Sequence, residues 1–466
     1  MKLIKYFTII ILFLCASCRI VPEKRDVKDD LILPYKYLNA SEIPSDKKDD
    51  SIEWWKSFEN PELNRFVTES LSENYDIEAS YARLAQAQTR VSQTQSALFP
   101  YLNFSSSIAT VKQRSLRTTG EYTTTSTKNY EIGLVAGYEI DLWRKINSQY
   151  KASLLSKNAT AEALQITAIT VSAETTLSWI RIITQKRLAA LIKQQKNVNR
   201  QYLLLVEKRF KQSMTSAMDI YNQKQISAGI AKQLPLIESQ EETYKNRLAI
   251  LIASEPSEIS VKTKKLPKLP PLPPVGIPIE LLTSRPDIKN AWLQLCSSDL
   301  DIAIAKADRL PSLTISGSAK NSAAKWENLL KGWYTNLATG IIAPLFDAGR
   351  RKAVVEQKRA VAKEKLSIYK KIVLNAIVEV NNALIREKKQ ENYLHILKKQ
   401  LEAADNALYE AKNRYKKGLN DYLYVLNALQ AIYKIENEII IAENNLFEHR
   451  ISLYRALAGK ILTTNK

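Results

Sequence analysis

Few groups in this sequence could do chemistry, and their spacing excludes most of it. The chain holds only two histidines, His395 and His449, both late. Neither sits in a ligand-spaced cluster, so a histidine-rich zinc site is excluded. Ser-His-Asp catalysis needs a positioned histidine base, which neither supplies. Glycine, at 11 residues, is too sparse for a phosphate-cradling loop. Three acids, Glu139, Asp141 and Asp347, have structural explanations as strand-edge or capping residues. Asp141 and Asp347 each stand just before a long helical stretch, where exposed backbone N–H groups favour a carboxylate. Arg285-Pro286-Asp287 reads as a helix start, with proline tolerated in the first turn and the acid complementing the dipole. No catalytic residue, cofactor or metal ligand is expected.

One covalent modification is expected, at the N-terminus. Lys2 and Lys5 form a basic head, Tyr6 to Ala16 is almost wholly apolar, and Ala16-Ser17-Cys18 follows. Small residues before a cysteine are the pattern of a lipoprotein signal peptide, which predicts cleavage after residue 17 and acyl (palmitate-type) chains on Cys18. Cys15 stands where leucine is usual. An ordinary signal peptide or a short anchor helix is the competing reading, although the apolar core is short for a bilayer span. With Cys18 lipidated, Cys296 is the one cysteine left and no intrachain disulfide forms. The formal net charge of +20 raises the question of nucleic acid. The lysines recur along helical patterns without interleaved aromatics, so a solvated helical surface explains them and no nucleic-acid partner is expected.

The elements around these residues repeat. Tyr75-Asp76-Ile77 answers Pro286-Asp287-Ile288, Leu84 answers Leu295, and Leu98-Phe99-Pro100-Tyr101-Leu102 answers Arg309-Leu310-Pro311-Ser312-Leu313, all at one offset. At a second, slightly shorter offset Arg209-Phe210-Lys211-Gln212-Ser213 answers Arg414-Tyr415-Lys416-Lys417-Gly418, Leu248 answers Leu453, and Ala253 answers Ala458. The division is a signal peptide over 1–17, a lipidated tether and following segment over 18–60, a first repeat over 61–255, a proline-rich linker over 256–280, a second repeat over 281–460 and a tail over 461–466. Each repeat reads helix, strand, loop, strand, very long helix, turn, long helix.

Strands are expected over 102–111 and 130–141 in the first copy, and over 313–319 and 333–344 in the second. Leu102, Phe104, Ser106 and Ile108 alternate with polar neighbours, as do Tyr130, Ile132, Leu134, Ala136 and Tyr138. Such segments suit membrane β-barrel strands. Alternation alone fits equally a soluble hairpin half-buried on a core. Four strands cannot close a barrel, and lipid does not tolerate open sheet edges, so membrane strands would require several chains. From Arg351 to Tyr415 no proline or glycine interrupts the pattern, which allows roughly 98 Å of helix. Gly418-Leu419-Asn420-Asp421 turns the chain back, and Ser213-Met214-Thr215-Ser216 is the equivalent turn. Pro235 is expected to kink the returning helix of the first copy.

These features together resemble the outer-membrane efflux proteins, in particular their lipoprotein branch. The residues that carry the resemblance are Trp54-Trp55 to Leu63, Ala97-Leu98-Phe99-Pro100 and Tyr138-Glu139-Ile140-Asp141-Leu142-Trp143. In the second copy they are Arg285-Pro286-Asp287-Ile288 and Ala343-Pro344-Leu345-Phe346-Asp347-Ala348-Gly349-Arg350. Arg144 departs from the family's usual glycine, and Ser213 departs from Gly418 of its own second copy. The resemblance implies an α+β membrane protein of TolC-like fold with internal duplication. It implies a homotrimeric 12-stranded β-barrel in the outer membrane, continued by a long α-helical barrel through the periplasm. The implied partners are outer-membrane lipid, a periplasmic adaptor and an inner-membrane pump of the proton-driven RND type. The duct would conduct passively. By the same resemblance the tips converge and constrict the resting channel, which makes Asn420, Asp421 and Tyr422 candidate gate residues and Met214, Thr215 and Ser216 their first-copy equivalents. Tyr422 and Leu423 would pack beside the gate. A helix cap is the plainer role for Asp421. A periplasmic coiled-coil adaptor or structural lipoprotein is the alternative function.

Overall fold

The computed structural model describes residues 53–273, 284–457 and 461–462. Cys18 lies outside them. The chain divides into two compact units. Of the described residues, the first takes Arg83–Ala161 and Asn290–Lys370; the second takes those up to Ala82, those of 162–289 and those from Lys371 onward.

In chain order the elements are α1 (Pro61–Glu73), α2 (Tyr75–Ser96), β1 (Tyr101–Leu116), β2 (Tyr122–Ile140), α3 (Lys145–Lys211), α4 (Ala217–Ala231), α5 (Gln233–Leu251), α6 (Pro286–Ala307), β3 (Ser312–Ala323), β4 (Tyr334–Ile342), α7 (Arg350–Lys416) and α8 (Tyr422–Leu457). The first unit is built on one antiparallel sheet in the order β1-β2-β3-β4. The first hairpin is longer than its alternation suggested. Beyond Ile108 and Tyr130 both faces turn polar, so the alternating signal fades while the ladder continues to Leu116 opposite Tyr122. β3 likewise runs on to Ala323. β4 stops short of the expected 344, at Ile342; Pro344 has no N–H to give a ladder. Below the sheet, Trp143 Nε1 donates to the Pro311 carbonyl (2.6 Å). Asn290 Nδ2 donates to the Ala159 carbonyl (2.5 Å), and the Trp292 and Tyr369 rings meet at 5.5 Å.

The second unit is helical and closes on an aromatic core. A short 3₁₀ turn, Trp54–Phe58, buries Trp54, Trp55 and Phe58 against Phe66, Trp179, Ile183, Phe447 and Ile451. Trp54 stacks on Tyr454 at 5.3 Å, and Phe58 stacks on Phe447 at 6.0 Å. Glu62 ties this core to the irregular stretch after α5. Its carboxylate accepts from the backbone N–H groups of Lys262 (2.6 Å) and Thr263 (3.2 Å) and from Trp179 Nε1 (3.1 Å). Burial opposes its ionisation, but these bonds outweigh that and hold its pKa below the usual carboxylate value. The first-copy return is interrupted for one residue at Lys232, between α4 and α5, where the backbone stays in the helical region and the Lys232 N–H still reaches the Ala228 carbonyl (3.0 Å). Pro235 has no N–H for the Ala231 carbonyl, so the break sits in the turn before it.

One cross-link in this unit was not legible in the sequence. Arg450 and Glu387, each 2% exposed, form a bidentate pair between α8 and α7. The remaining arm of the guanidinium donates to the Pro270 carbonyl of the proline-rich linker. A buried ionic pair fastens the linker between two helices.

Candidate functional site

Two places carry the residues singled out by the sequence: the sheet with its flanking turns, and the hairpin tips. The register assigns every strand residue to one of two faces, because directly opposite residues share a face. Leu102 pairs with Ala136, Phe104 with Leu134 and Ile108 with Tyr130. Leu134 pairs with Ala319, Tyr138 with Ile315, Gly317 with Leu337 and Leu313 with Ile341. These residues form one continuous apolar face. No core covers it: Phe104 is 67% exposed, Ile108 68% and Leu337 79%. A soluble hairpin resting on a core is therefore not what these strands form. A bare apolar face of this extent calls for lipid.

The other face is polar and rich in hydroxyls: Ser105, Ser107, Thr123, Thr125, Thr127, Thr314, Ser316, Ser318 and Ser322. One ion pair lies on it. Lys320 Nζ donates to Glu131 Oε1 (2.7 Å), and the Tyr334 hydroxyl reaches Glu131 Oε2 (3.4 Å). Gly137 on this face leaves room for the Tyr101 ring, which a Cβ would meet at 2.5 Å.

The turns below the sheet are capped as the sequence suggests. Asp141 accepts from the backbone N–H groups of Ile146 (2.9 Å) and Asn147 (2.8 Å) at the start of α3. Asp347 accepts from those of Gly349 (3.2 Å) and Arg351 (3.2 Å) at the start of α7, and from the Arg351 guanidinium (3.1 Å). Arg350 begins α7 with its backbone N–H on the Asp347 carbonyl (3.0 Å). Gly349 has φ +85° and Arg144, at its place in the first copy, φ +58°. The departure from glycine thus keeps the left-handed backbone. Pro344 is half-buried, and Phe346 is 91% exposed.

In the second unit Arg285 is buried and pairs with Asp287 (2.6 Å) and Glu379 (2.9 Å) while donating to the Ala456 carbonyl (3.0 Å). Burial works against its charge, but the two carboxylates prevail and hold its pKa above the usual value. Pro286 is buried as the first residue of α6. This motif is a clamp joining α6, α7 and the end of α8.

At the tips the two copies share one backbone solution. Met214 N–H returns to the Arg209 carbonyl and Ser213 N–H to that of Phe210 (both 2.9 Å). Leu419 N–H returns to Arg414 (3.0 Å) and Gly418 N–H to Tyr415 (3.1 Å). Both are Schellman closures with a left-handed residue, Ser213 (φ +56°) or Gly418 (φ +73°). At the first tip Ser216 and Asp219 form a capping box, and Thr215 Oγ1 donates to Asp219 (2.5 Å). Met214 is exposed. At the second tip Asn420 is half-buried and Asp421 is exposed immediately before α8. Tyr422 is 2% exposed and its hydroxyl donates to Gln223 Oε1 (2.9 Å). Gln223 in turn donates to Asn199 on α3. Burial pushes the Tyr422 hydroxyl far above its ordinary range, so it stays a donor. Leu423 is exposed in the single chain; Val425 and Leu426 pack the tip with Tyr415 and Val206. The Arg209 guanidinium lies 4.3 Å over the Tyr415 ring. The Gln223 and Asn199 contacts were not anticipated, since nothing in the sequence pattern marks two amides of different helices as neighbours.

Among the described residues no group of His, Cys, Asp and Glu is placed to hold a metal ion, and no helix is long and apolar enough to cross a membrane. The profile of the family described as "Outer membrane efflux protein" matches residues 66–254 and 277–459. OpmQ, the pyoverdine export outer membrane protein of Pseudomonas aeruginosa, is 29% identical over 437 residues, 91% of this chain and 90% of its own length. Nodulation protein T of Rhizobium leguminosarum bv. trifolii is 24% identical over 437 residues, 93% of this chain and 92% of its own. The outer-membrane channel OprN superposes with a TM-score of 0.88 at 26% identity, covering 95% of this chain and 99% of that one. The CmeC outer membrane channel of Campylobacter jejuni shares the fold, with a TM-score of 0.86 at 20% identity over 96% of each chain. A sheet with one bare apolar and one hydroxyl-lined face suits a conduit through lipid. The match across both copies of the repeat settles the kinship: the chain belongs to the outer membrane efflux protein family, as a passive exit channel of a tripartite efflux system.

Proposed function

We propose that the chain works as a homotrimer whose three four-stranded sheets close into one 12-stranded barrel in the outer membrane, continued by the helices as a periplasmic tunnel. The observation that supports this reading is the open sheet. β1 and β4 are edges, the apolar face is bare, and lipid cannot satisfy the unpaired backbone groups of either edge. A cyclic trimer pairs every edge with a neighbour's. The tunnel receives small molecules from a periplasmic adaptor and an RND-type inner-membrane pump, which supplies the energy. Relatives whose names specify pyoverdine or toluene export fit a duct that passes what its pump delivers. Acyl chains on Cys18 add a second attachment to the outer membrane. The tips are the resting constriction: Asn420, Asp421 and Tyr422, beside Met214, Thr215 and Ser216, surround the threefold axis, and three Asp421 carboxylates there favour cations.

Purification in mild detergent, with the mass of the complex and its single-channel conductance in planar bilayers, tests the assembly. A monomeric mass with folded strands, or no conductance from a trimer, removes this reading. Asp421→Ala compared with the parent over a salt series tests the ring, and unchanged ion selectivity removes Asp421 from the gate. Mass spectrometry of the mature N-terminus tests Cys18.

A further inference from the structure

The apolar face of the sheet ends at a row that the register identifies. On that face β2 is apolar from Tyr138 to Tyr130, about 27 Å along the strand and about 21 Å once a barrel tilt is allowed for, close to the usual lipid-facing band. At its upper margin Tyr130 packs edge-on against Trp326 (6.0 Å), and Trp333 is 77% exposed nearby in sequence. These are the residues of an interfacial aromatic girdle. β3 ends at this row, with Ala323 opposite Tyr130. Above it β1 and β2 continue alone as a two-stranded arm.

The arm sorts its charges by face. On the side continuous with the apolar band stand Lys128 opposite Thr110, Lys112 opposite Ser126 and Arg114 opposite Thr124. On the other side the same rows carry Gln113, Ser115, Thr123, Thr125, Thr127 and Asn129, all neutral. The band side has no acid between Thr110 and Leu116 or between Tyr122 and Tyr130. All three cations are exposed, and none has an ion-pair partner among the described residues. Lys112 and Lys128 are diagonal neighbours across the strands, where like charges repel. Arg114 is held in place, its guanidinium 4.5 Å over the Tyr122 ring. Three crowded cations without a counter-charge, directly above a lipid-facing band, complement an anionic headgroup. They rise from about 5 Å to about 16 Å above the girdle, given the strand rise and a barrel tilt. The lower end of that span meets lipid phosphates. The upper end reaches further than an ordinary phospholipid headgroup extends, which calls for a bulkier phosphorylated headgroup such as that of a glycolipid.

We propose that Lys112, Arg114 and Lys128 form a basic collar that binds the phosphates of an outer-leaflet glycolipid. This rests on the reading of the sheet as barrel strands. The collar would fix the depth of the barrel and recruit a shell of the lipid around the mouth. The sequence hides it, because the three residues look like scattered surface charges until the register puts them on one face.

The test uses the full-length protein in phosphatidylcholine nanodiscs, with bisphosphorylated lipid A as the probe and native mass spectrometry as the readout. Conductance is measured on the same purified proteins in planar bilayers. Each cation near an anionic surface is worth about fivefold in affinity, so Lys112→Gln/Arg114→Gln/Lys128→Gln should weaken retention about a hundredfold, and Lys112→Arg/Lys128→Arg should restore it relative to glutamine at those sites. Dephosphorylated lipid A should not bind the parent, and retention should fall as salt rises. Retention unchanged in a conducting triple variant overturns the collar alone. So does a parent protein that binds the dephosphorylated lipid, or phosphatidylglycerol, as well as the probe; that comparison does not depend on the variant folding. A parent protein that neither inserts nor conducts overturns the barrel reading and the collar with it.

Discussion

Cutting one side of the Arg450–Glu387 pair should unfold the second unit far more easily than replacing both sides. Each partner is 2% exposed, and the pair is bidentate, with the third guanidinium nitrogen on the Pro270 carbonyl. Arg450→Met leaves a desolvated carboxylate without its counter-charge and frees Pro270. Glu387→Leu leaves a desolvated guanidinium with only Pro270 as acceptor. Losing one partner of such a pair costs about 3–5 kcal/mol. The double substitution removes both desolvation penalties and should cost less than either single one, giving a coupling energy of about 3 kcal/mol or more. Glu391 adds a pH signature. Burial and Glu387 push its carboxyl above the usual value, and Arg450 pulls it down. Removing Arg450 raises it further. A carboxyl raised in the folded state contributes stability that is lost as pH rises through its folded pKa. The Arg450→Met variant should therefore regain stability on acidification from neutral pH more steeply than the parent. Urea unfolding followed by tryptophan fluorescence reads Trp54, Trp55 and Trp179, all buried in this unit. Single variants that each lose under about 1 kcal/mol, or a double variant that loses their sum, would refute the argument.

Ser213→Gly should stabilise the first tip by about 1 kcal/mol, and Gly418→Ala should destabilise the second by about as much, because both sites have positive φ; paired urea curves check the opposite signs. Ser216→Ala should cost about 1 kcal/mol by removing the capping box, measured the same way. Gly137→Val should drive the Tyr101 ring off the polar sheet face and lower the heat resistance of the sheet, with Tyr101→Ala in the same chain restoring part of it. Burial, with Arg386, holds His449 below the ordinary imidazole value against the pull of Glu448. It therefore contributes stability above pH about 6.5 that is lost on acidification, and His449→Gln should flatten that part of the stability–pH curve.

What could be read from the sequence was whatever repeats with the period of an element. The apolar alternation of Leu102, Phe104 and Ile108 against Leu134 and Ala136 set the hairpin face, and the unbroken run after Arg350 set α7. The acids before α3 and α7 announced their caps because Asp141 and Asp347 act on backbone two to six residues away. Features that depend on two distant helices meeting left no trace. Arg450 and Glu387 look like any surface pair on lysine-rich helices, and Tyr422, Gln223 and Asn199 are joined only by the packing of three helices. The upper half of the β1–β2 hairpin was invisible for another reason. Once the alternation of apolar residues ends, backbone hydrogen bonds continue the ladder, and they carry no side-chain signal.

The duplication permits a comparison within one chain. Both tips need a left-handed residue to close the helix, and both obtain the same pair of return hydrogen bonds. The second copy meets the need with Gly418, at no steric cost. The first uses Ser213, which costs about 1–2 kcal/mol. The same first tip carries the capping box of Ser216 and Asp219, with Thr215 on the same carboxylate, worth about 1 kcal/mol or somewhat more. The cost at Ser213 is thus offset three residues later. The second tip, free of that strain, begins α8 with a buried tyrosine whose hydroxyl is committed to the neighbouring hairpin. The two copies keep one backbone turn and divide the labour: the first tip is stabilised locally by its own cap, the second by its contact with the first. A conformational change at the tips would then break the Tyr422–Gln223 bond while leaving each turn intact, because the closures at Ser213 and Gly418 are made wholly within their own hairpins.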